Sequence, residues 1–401
     1  MRTYGDLLRT PEFTPLFLAS AGNVAAQTVS GLALGTLVYS RTGSPLLSSL
    51  AMFGPMLAQL VGALTLLSAA DRLPPRAALA GLSLLFAAGT AAQAVPGLPV
   101  WGVFALVLVL GVASAVGGGV RYGLLNEILD REGYLLGRSV MNMSVGLVQI
   151  IGLVQIIGFA AGGVLVNALS PRGTLLAGAA LYLAAAAVAR FGLSARAPRA
   201  TGCATAGETW RNNVRLWSSR QRRAVYLALW VPNGLIVGCE SLFVPYAPRH
   251  AGLLFAAGAV GMLAGDTLAG RFVPPAWRKR LDAPMRLLLA APYLVFALGP
   301  PLPVAVAAIA AASVGYCATL LLQDRLLAIT PDELSGHALG LHSSGMLAMQ
   351  GVGAAIAGAV AQVTSPAVGM TLMAAASVAV TVSLMPGLRV RPAPAPATER
   401  V

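Results

Sequence analysis

The apolar positions of this chain fall in long runs separated by short turn signals. Runs near the length of about 20 residues that a helix needs to cross a bilayer occur at 13–39, 46–70, 77–95, 100–122, 139–168, 173–193, 224–247, 251–272, 284–299, 303–322, 337–363 and 367–386. Between them stand TGSP (42–45), LPP (73–75), PGLP (96–99), SPRG (170–173), PPLP (300–303) and TSP (364–366), where proline and glycine end helices. Open strand edges cannot sit in lipid, so the runs are read as helices. The pattern predicts an all-α integral membrane protein with twelve transmembrane helices.

Composition agrees. Of the 401 residues, 57% are apolar and 10% charged, and the mean hydropathy is +0.76. Soluble domains carry about 45–50% apolar and about 25% charged residues. A secreted disulfide scaffold, a disordered chain and a soluble nucleic-acid binder are excluded on that ground. Cys203, Cys239 and Cys317 stand far apart and outside any metal-ligand spacing, so neither a disulfide nor a metal is expected. No Walker loop, HExxH or GxSxG occurs, so no enzyme activity and no cofactor are expected. The N-terminus, MRTYGDLLRTPEF, is polar and shows no cleavable signal pattern.

The net charge is +13, and all but one of the 27 basic residues are arginine, Lys279 being the exception. With the N-terminus in the cytoplasm, the outer loops hold only Arg41, Arg172 and Arg249. The positive-inside rule therefore places both termini in the cytoplasm of a cell-membrane protein. The longest loop, 194–223, is strongly basic. Its second part, ETWRNNVRLWSSRQRR, reads either as an amphipathic segment on the inner leaflet with Trp210 and Trp217 at headgroup depth or as an ordinary linker. The loop divides the chain into 1–193, the linker 194–223, and 224–386, with a proline-rich tail, 387–401, expected to be disordered.

The two parts echo each other. ADRLPPR (70–76) after span 2 answers AGRFVPPAWR (269–278) after span 8, and LLNEILDRE (124–132) answers LLAITPDEL (326–334). Gln155, Gly158 and Gly163 in span 5 recur as Gln350, Gly353 and Gly358 in span 11 at the same spacing. Parallel six-span halves with a site between them are a transporter architecture.

On these residues the chain resembles the major facilitator superfamily over roughly 12–386. SAADRLPPRAAL is similar to its loop signature, a small residue followed by D-R-x-G-R-R: Asp71, Arg72 and Arg76 match, while Pro74 stands where glycine is preferred. GFAAGG (158–163) resembles the antiporter motif GPxxGG, with Phe159 in place of proline, and TGSPL after span 1 resembles the macrolide-exporter-like drug-efflux branch. The resemblance implies two pseudo-symmetric six-helix bundles and proton antiport. It also implies a cytoplasmic gate in which Asp71 meets the N-terminus of span 11. An anion there gains about 0.3–2 kcal/mol, and Arg72, Arg76 and Glu127 would complete the network.

Ionisable residues within spans are functional candidates because lipid makes them costly. Glu240 in span 7 and Asp266 in span 8 are the candidates for proton coupling. Each has a structural reading beside it: a hydrogen bond to another helix for Glu240, and a gate pair with Arg271 for Asp266. Asn23 and Gln27, one turn apart on one face, together with Arg121, Gln155 and Gln350, are the candidates for a substrate cavity. For the amides, helix–helix hydrogen bonds compete with that role; for Arg121, a pair with Glu127 or snorkelling to the headgroups does.

The expected function is export of small amphipathic or hydrophobic compounds by proton antiport with alternating access, by a monomer. Uptake or uniport of a nutrient or lipid-like solute, and a non-transporting receptor, are the rivals. One oddity is an exact tandem repeat, GLVQII at 146–151 and again at 152–157. It lengthens span 5 by about 9 Å and is read as a microduplication rather than a device.

Overall fold

A computed structural model of the chain describes residues 12–66, 73–128, 148–197, 206–271, 273, 275–331 and 334–388, and every regular element among them is helical. The first part comprises α1 (Phe13–Thr42), α2 (Pro45–Leu66), α3 (Pro75–Gln93), α4 (Val100–Ile128) and α5 (Val148–Gly192). A short α6 (Ala206–Ser218) follows, then α7 (Arg220–Ser241), α8 (Phe243–Tyr246), α9 (Ala251–Arg271) and α10 (Pro275–Ala290). The chain ends with α11 (Leu302–Val314), α12 (Ala318–Ala328), α13 (Ser335–Val363) and α14 (Pro366–Leu388). Two 3₁₀ segments, Ala291–Leu298 and Gly315–Cys317, continue α10 and join α11 to α12.

Among the described residues, ten segments are long and apolar enough to cross a membrane. That number is compatible with twelve crossings. Ile157–Gly192 is one of the ten, yet its helix is interrupted at Ser170, where φ is 73°. The SPRG signal sits there, and Pro171 cannot continue the hydrogen-bond ladder. The helix α1, which is not among the ten, packs along α5 within the bundle. Gly43 and Gly299, in the TGSP and GPPLP turns, take φ values of 63° and 61°, a region that glycine enters without a Cβ clash.

The span from 284 begins earlier than its apolar run. Its helix starts at Pro275 and carries an exposed Arg280 and the buried Asp282 and Arg286. Arg286 donates through Nε and Nη2 to the two oxygens of Asp282, at 3.0 and 3.1 Å, one turn apart. The pair neutralises itself inside the bundle, so charge does not end the helix there. The following span also departs from a straight helix, because Gly315–Cys317 tightens to 3₁₀ in its middle.

In the first part α1 packs on α5 and α2 on α4; in the second α13 and α14 flank α7, and α9 lies on α11. Two crossings join the parts, α2 with α13 and α5 with α9. The core of buried apolar residues runs across the junction. It takes Leu32 and Phe53 from the first part, and Phe159 stacks on Phe255 with ring centroids 4.6 Å apart. The outward faces are greasy: Trp101, Phe191, Leu298 and Val363 are each at least three-quarters exposed, as lipid-facing positions are.

The echoing glycines occupy equivalent contacts. Gly158 of α5 lies on Thr28 of α1, and Gly353 of α13 lies on the backbone of Gly234 in α7. A Cβ on Gly163 would come within 2.8 Å of the Gly252 Cα in α9, and one on Gly358 within 2.8 Å of the Leu46 Cα in α2. One glycine of each pair thus serves its own half and the other serves the junction. Around these junction glycines, Ser44 donates to Gln362 (2.6 Å), Ser49 to the carbonyl of Ser241 (3.2 Å) and Asn167 to the carbonyl of Arg249 (3.4 Å). The two halves therefore touch at the end that carries the 42–45 turn and Arg249.

Candidate functional site

A polar cavity opens inside the first bundle. Asn23 and Gln27 line it on one face of α1, as their spacing predicts. Its upper part, about 130 Å³, adds Ser30, Met52, Phe86, Thr90, Gln93, Leu110, Ser114 and Tyr182. Its lower part, about 160 Å³, shares Asn23, Gln27, Phe86 and Ser114 and continues past Gln59 and Ser83 to Arg121. Asn23 donates from Nδ2 to the carbonyl of Ala19 (2.8 Å) and to Ser83 Oγ (3.1 Å). It therefore both ties α1 to α3 and lines the space. The lining is amphipathic, with amides and hydroxyls beside Met52, Phe86, Leu110 and Leu82.

The structure gathers three of the five cavity candidates, Asn23, Gln27 and Arg121, and gives a fourth the helix–helix bond of its other reading. Gln350 donates from Nε2 to Asn233 Oδ1 at 3.0 Å and so fastens α13 to α7, away from this cavity. A polar amide between two apolar helices finds its partner on the next helix, and here Asn233 supplies it. The side chain of Gln155 lies outside the described residues. The cavity itself is walled by α1 to α5 rather than by the junction of the halves.

Glu240 sits near the end of α7, partly buried. Tyr316 donates its hydroxyl to Glu240 Oε1 at 2.8 Å. Cys239 and Tyr293 are close enough to interact electrostatically with it. Tyr316 and Tyr293 are buried, 7% and 1% exposed, and the Tyr293 hydroxyl finds no hydrogen-bond partner among the described residues. The carboxylate's hydrogen bond thus comes from a neutral group rather than from a basic side chain. The structure provides the helix–helix bond of the structural reading. Sequence reading missed both tyrosines, because they lie 53 and 76 positions from Glu240 and nothing local marks them.

Asp266 of α9 is buried, 7% exposed, and interacts electrostatically with Cys317. Consecutive residues of the 3₁₀ segment, Tyr316 and Cys317, thus face the two candidate carboxylates.

Of the expected cytoplasmic gate, Asp71 and Arg72 lie outside the described residues, as do the side chains of Glu127 and Arg271. Arg76 stands in the first turn of α3, half-buried. The linker helix α6 is placed by protein contacts. Trp217 stacks on Trp230 at 5.6 Å and on Tyr226 at 6.0 Å, Leu216 is fully buried with Leu334 and Ala338, and Asn213 Oδ1 is 3.0 Å from His337 Nε2. Leu216 and Trp217 of that helix thus lie against α7 and α13, while Arg211 and Arg215 are exposed; the side chain of Trp210 lies outside the described residues.

No family profile matches the chain, and no curated protein matches it in sequence. Solved structures do match in shape. A mutant of the nucleoside transporter NupG superposes with a TM-score of 0.76 at 12% identity, covering 94% of this chain and 100% of the other. A POT family transporter in complex with a thioalcohol-conjugated peptide gives 0.70 at 9% identity, covering 94% and 96%. A bacterial homologue of the human lysosomal transporter Spinster, in an inward-facing and unoccupied conformation, gives 0.69 at 13%, covering 94% and 95%. The chain therefore has the fold of these membrane transporters, the major facilitator fold that its motifs resemble.

Proposed function

We propose that this protein is a secondary active transporter that exports small amphipathic compounds by proton antiport. The observation that carries the reading is Glu240, a carboxylate within a membrane-spanning helix whose hydrogen bond comes from a tyrosine hydroxyl. A carboxylate paired with arginine is held ionised; one met by a neutral donor can take up and give back a proton. Residues 1–193 and 224–386 act as the two rocking units, joined by the linker 194–223. With both termini in the cytoplasm, the contacts around Gly163 and Gly358 would close the outer side. The amphipathic pocket of Asn23, Gln27 and Arg121 is the candidate for holding cargo, and Asp266 is the second carboxylate that could serve coupling. Asp71, Arg72, Arg76, Glu127 and Arg271 are proposed to hold the inner gate.

A second reading has one observation behind it. The amides and hydroxyls of the cavity also suit a polar nutrient, taken up or equilibrated without proton exchange. Extrusion of amphipathic dyes from loaded cells, with and without an uncoupler, separates the two. An antiporter stalls when the proton gradient collapses; a uniporter ignores the uncoupler; a receptor moves nothing in either condition.

A further inference from the structure

We propose that Tyr316 is the positioning residue through which the proton state of Glu240 sets the bend of the broken helix α11–α12. The inference rests on the reading of Glu240 as the coupling carboxylate and adds what that carboxylate acts on.

The helix from Leu302 to Ala328 is divided by the 3₁₀ turn Gly315–Cys317. Such a turn within a helix often marks a hinge. Above it, α11 is clamped by backbone contacts. Gly261 and Gly265 of α9 lie directly on Ala310 and Val314, and Gly315, the first residue of the turn, lies on the backbone of Met285 and Leu289 in α10. No side chain separates these helices, so α11 is fixed to its neighbours. Below the turn, α12 packs through Leu322 and Leu326 on α7 and is tied to α13, the helix that crosses to α2, through Gln323 Nε2, 2.9 Å from His342 Nε2. The hinge thus joins a clamped segment to one linked to the junction.

Tyr316 is the central residue of that hinge, and its hydroxyl is committed to Glu240 Oε1. A hydrogen bond to an ionised carboxylate is roughly twice as strong as one between neutral groups. When Glu240 takes a proton, the tether weakens and the carboxyl gains an O–H that must itself be placed. Tyr293 stands ready: its buried hydroxyl is unpartnered among the described residues and interacts electrostatically with both Glu240 and Tyr316. The other titratable group beside Glu240 is Cys239, on its own helix, which donates to the carbonyl of Met370 in α14. The α13 face packed there brings Gly353 and Ala357, and Met370 is the α14 residue; none of them is charged. Protonation would therefore move the hydrogen bond among Glu240, Tyr316 and Tyr293 and free α12 to swing about the turn.

The test uses the whole protein in lipid nanodiscs, with Cys203, Cys239 and Cys317 replaced by alanine and spin labels at Leu327→Cys on α12 and Leu268→Cys on α9. Infrared difference spectra across a pH titration report the protonated carboxyl of Glu240, identified by its loss in Glu240→Gln. Electron–electron resonance reports the distance between the labels. In the parent protein the carboxyl band and the distance should change together. In Tyr316→Phe the band should persist at a higher frequency, and the distance should no longer follow pH. Glu240→Asp, whose shorter side chain cannot make the 2.8 Å bond, should behave likewise and carries the test if Tyr316→Phe does not fold. A distance that tracks pH in these variants as in the parent, or stays constant in the parent while the band titrates, overturns the hinge and leaves the coupling reading standing. Absence of the carboxyl band in the parent overturns both.

Discussion

Glu240 shows what a single residue tells and what it conceals. A carboxylate in the run GLIVGCESLFVPY is conspicuous by cost alone, and the structure gives it a partner in Tyr316. The partner was not legible, because a tyrosine in an apolar span is unremarkable until another helix brings it to a carboxylate. Glu240→Gln keeps the shape and removes the titratable group. It is expected to insert and fold like the parent while losing proton-coupled transport, checked by size-exclusion profile and by dye extrusion. The Asp282–Arg286 pair escaped for the opposite reason: two charges looked like a span boundary, whereas together they make a buried unit whose side chains are 12% and 2% exposed. Arg286→Met removes the hydrogen-bonded partner of Asp282 and leaves Arg325 as its nearby cation, so the cost falls below the about 3–5 kcal/mol of a buried charge left with no partner. A lowered thermal midpoint is expected, with part of the loss restored by adding Asp282→Asn. A midpoint equal to the parent's would mean that the pair does not stabilise the bundle.

At the scale of elements, the spans and turns were largely legible and their irregularities were not. The glycine and proline signals at 42–45, 170–173 and 300–303 fall at helix ends or breaks, because backbone geometry is a local property. The 3₁₀ turn at Gly315–Cys317 and the docking of α6 depend on which helix lies alongside, and no run of residues reports that. The glycine echo between spans 5 and 11 was legible as spacing, and its meaning appears only when Gly163 meets Gly252 and Gly358 meets Leu46. Gly252→Val puts a branched side chain where a Cβ alone would be 2.5 Å from the Gly163 Cα. Overpacking of this kind costs about 1–3 kcal/mol. It should fall on the closed outer side, so that a cysteine beside the crossing on α5 is labelled faster from outside. Unchanged labelling would show that the crossing does not form the outer closure. The GLVQII repeat lies on the N-terminal side of Gly158, so the contacts of Gly158 and Gly163 do not depend on it. Of its side chains only Ile157, exposed, is among those described. A variant lacking residues 146–151 is expected to fold and transport at least as well as the parent; loss of transport from a folded protein would make the second copy part of the mechanism.

For the molecule as a whole, two bundles with equivalent glycine contacts meet along α2–α13 and α5–α9. The sequence made this architecture visible through hydropathy, arginine placement and repetition, all of which accumulate over hundreds of residues. It left the cavity's location hidden, since the same amides could have faced the junction. The central claim is that cargo and protons exchange through this protein by way of Glu240, and everted membrane vesicles test it most directly. Respiration acidifies their interior, and a dye that parent cells extrude is then added. The account predicts that the parent protein discharges the pH gradient on dye addition, while Glu240→Gln, present at equal abundance, does not. Discharge by Glu240→Gln as fast as by the parent, or dye movement through the parent with no loss of the gradient, would contradict it.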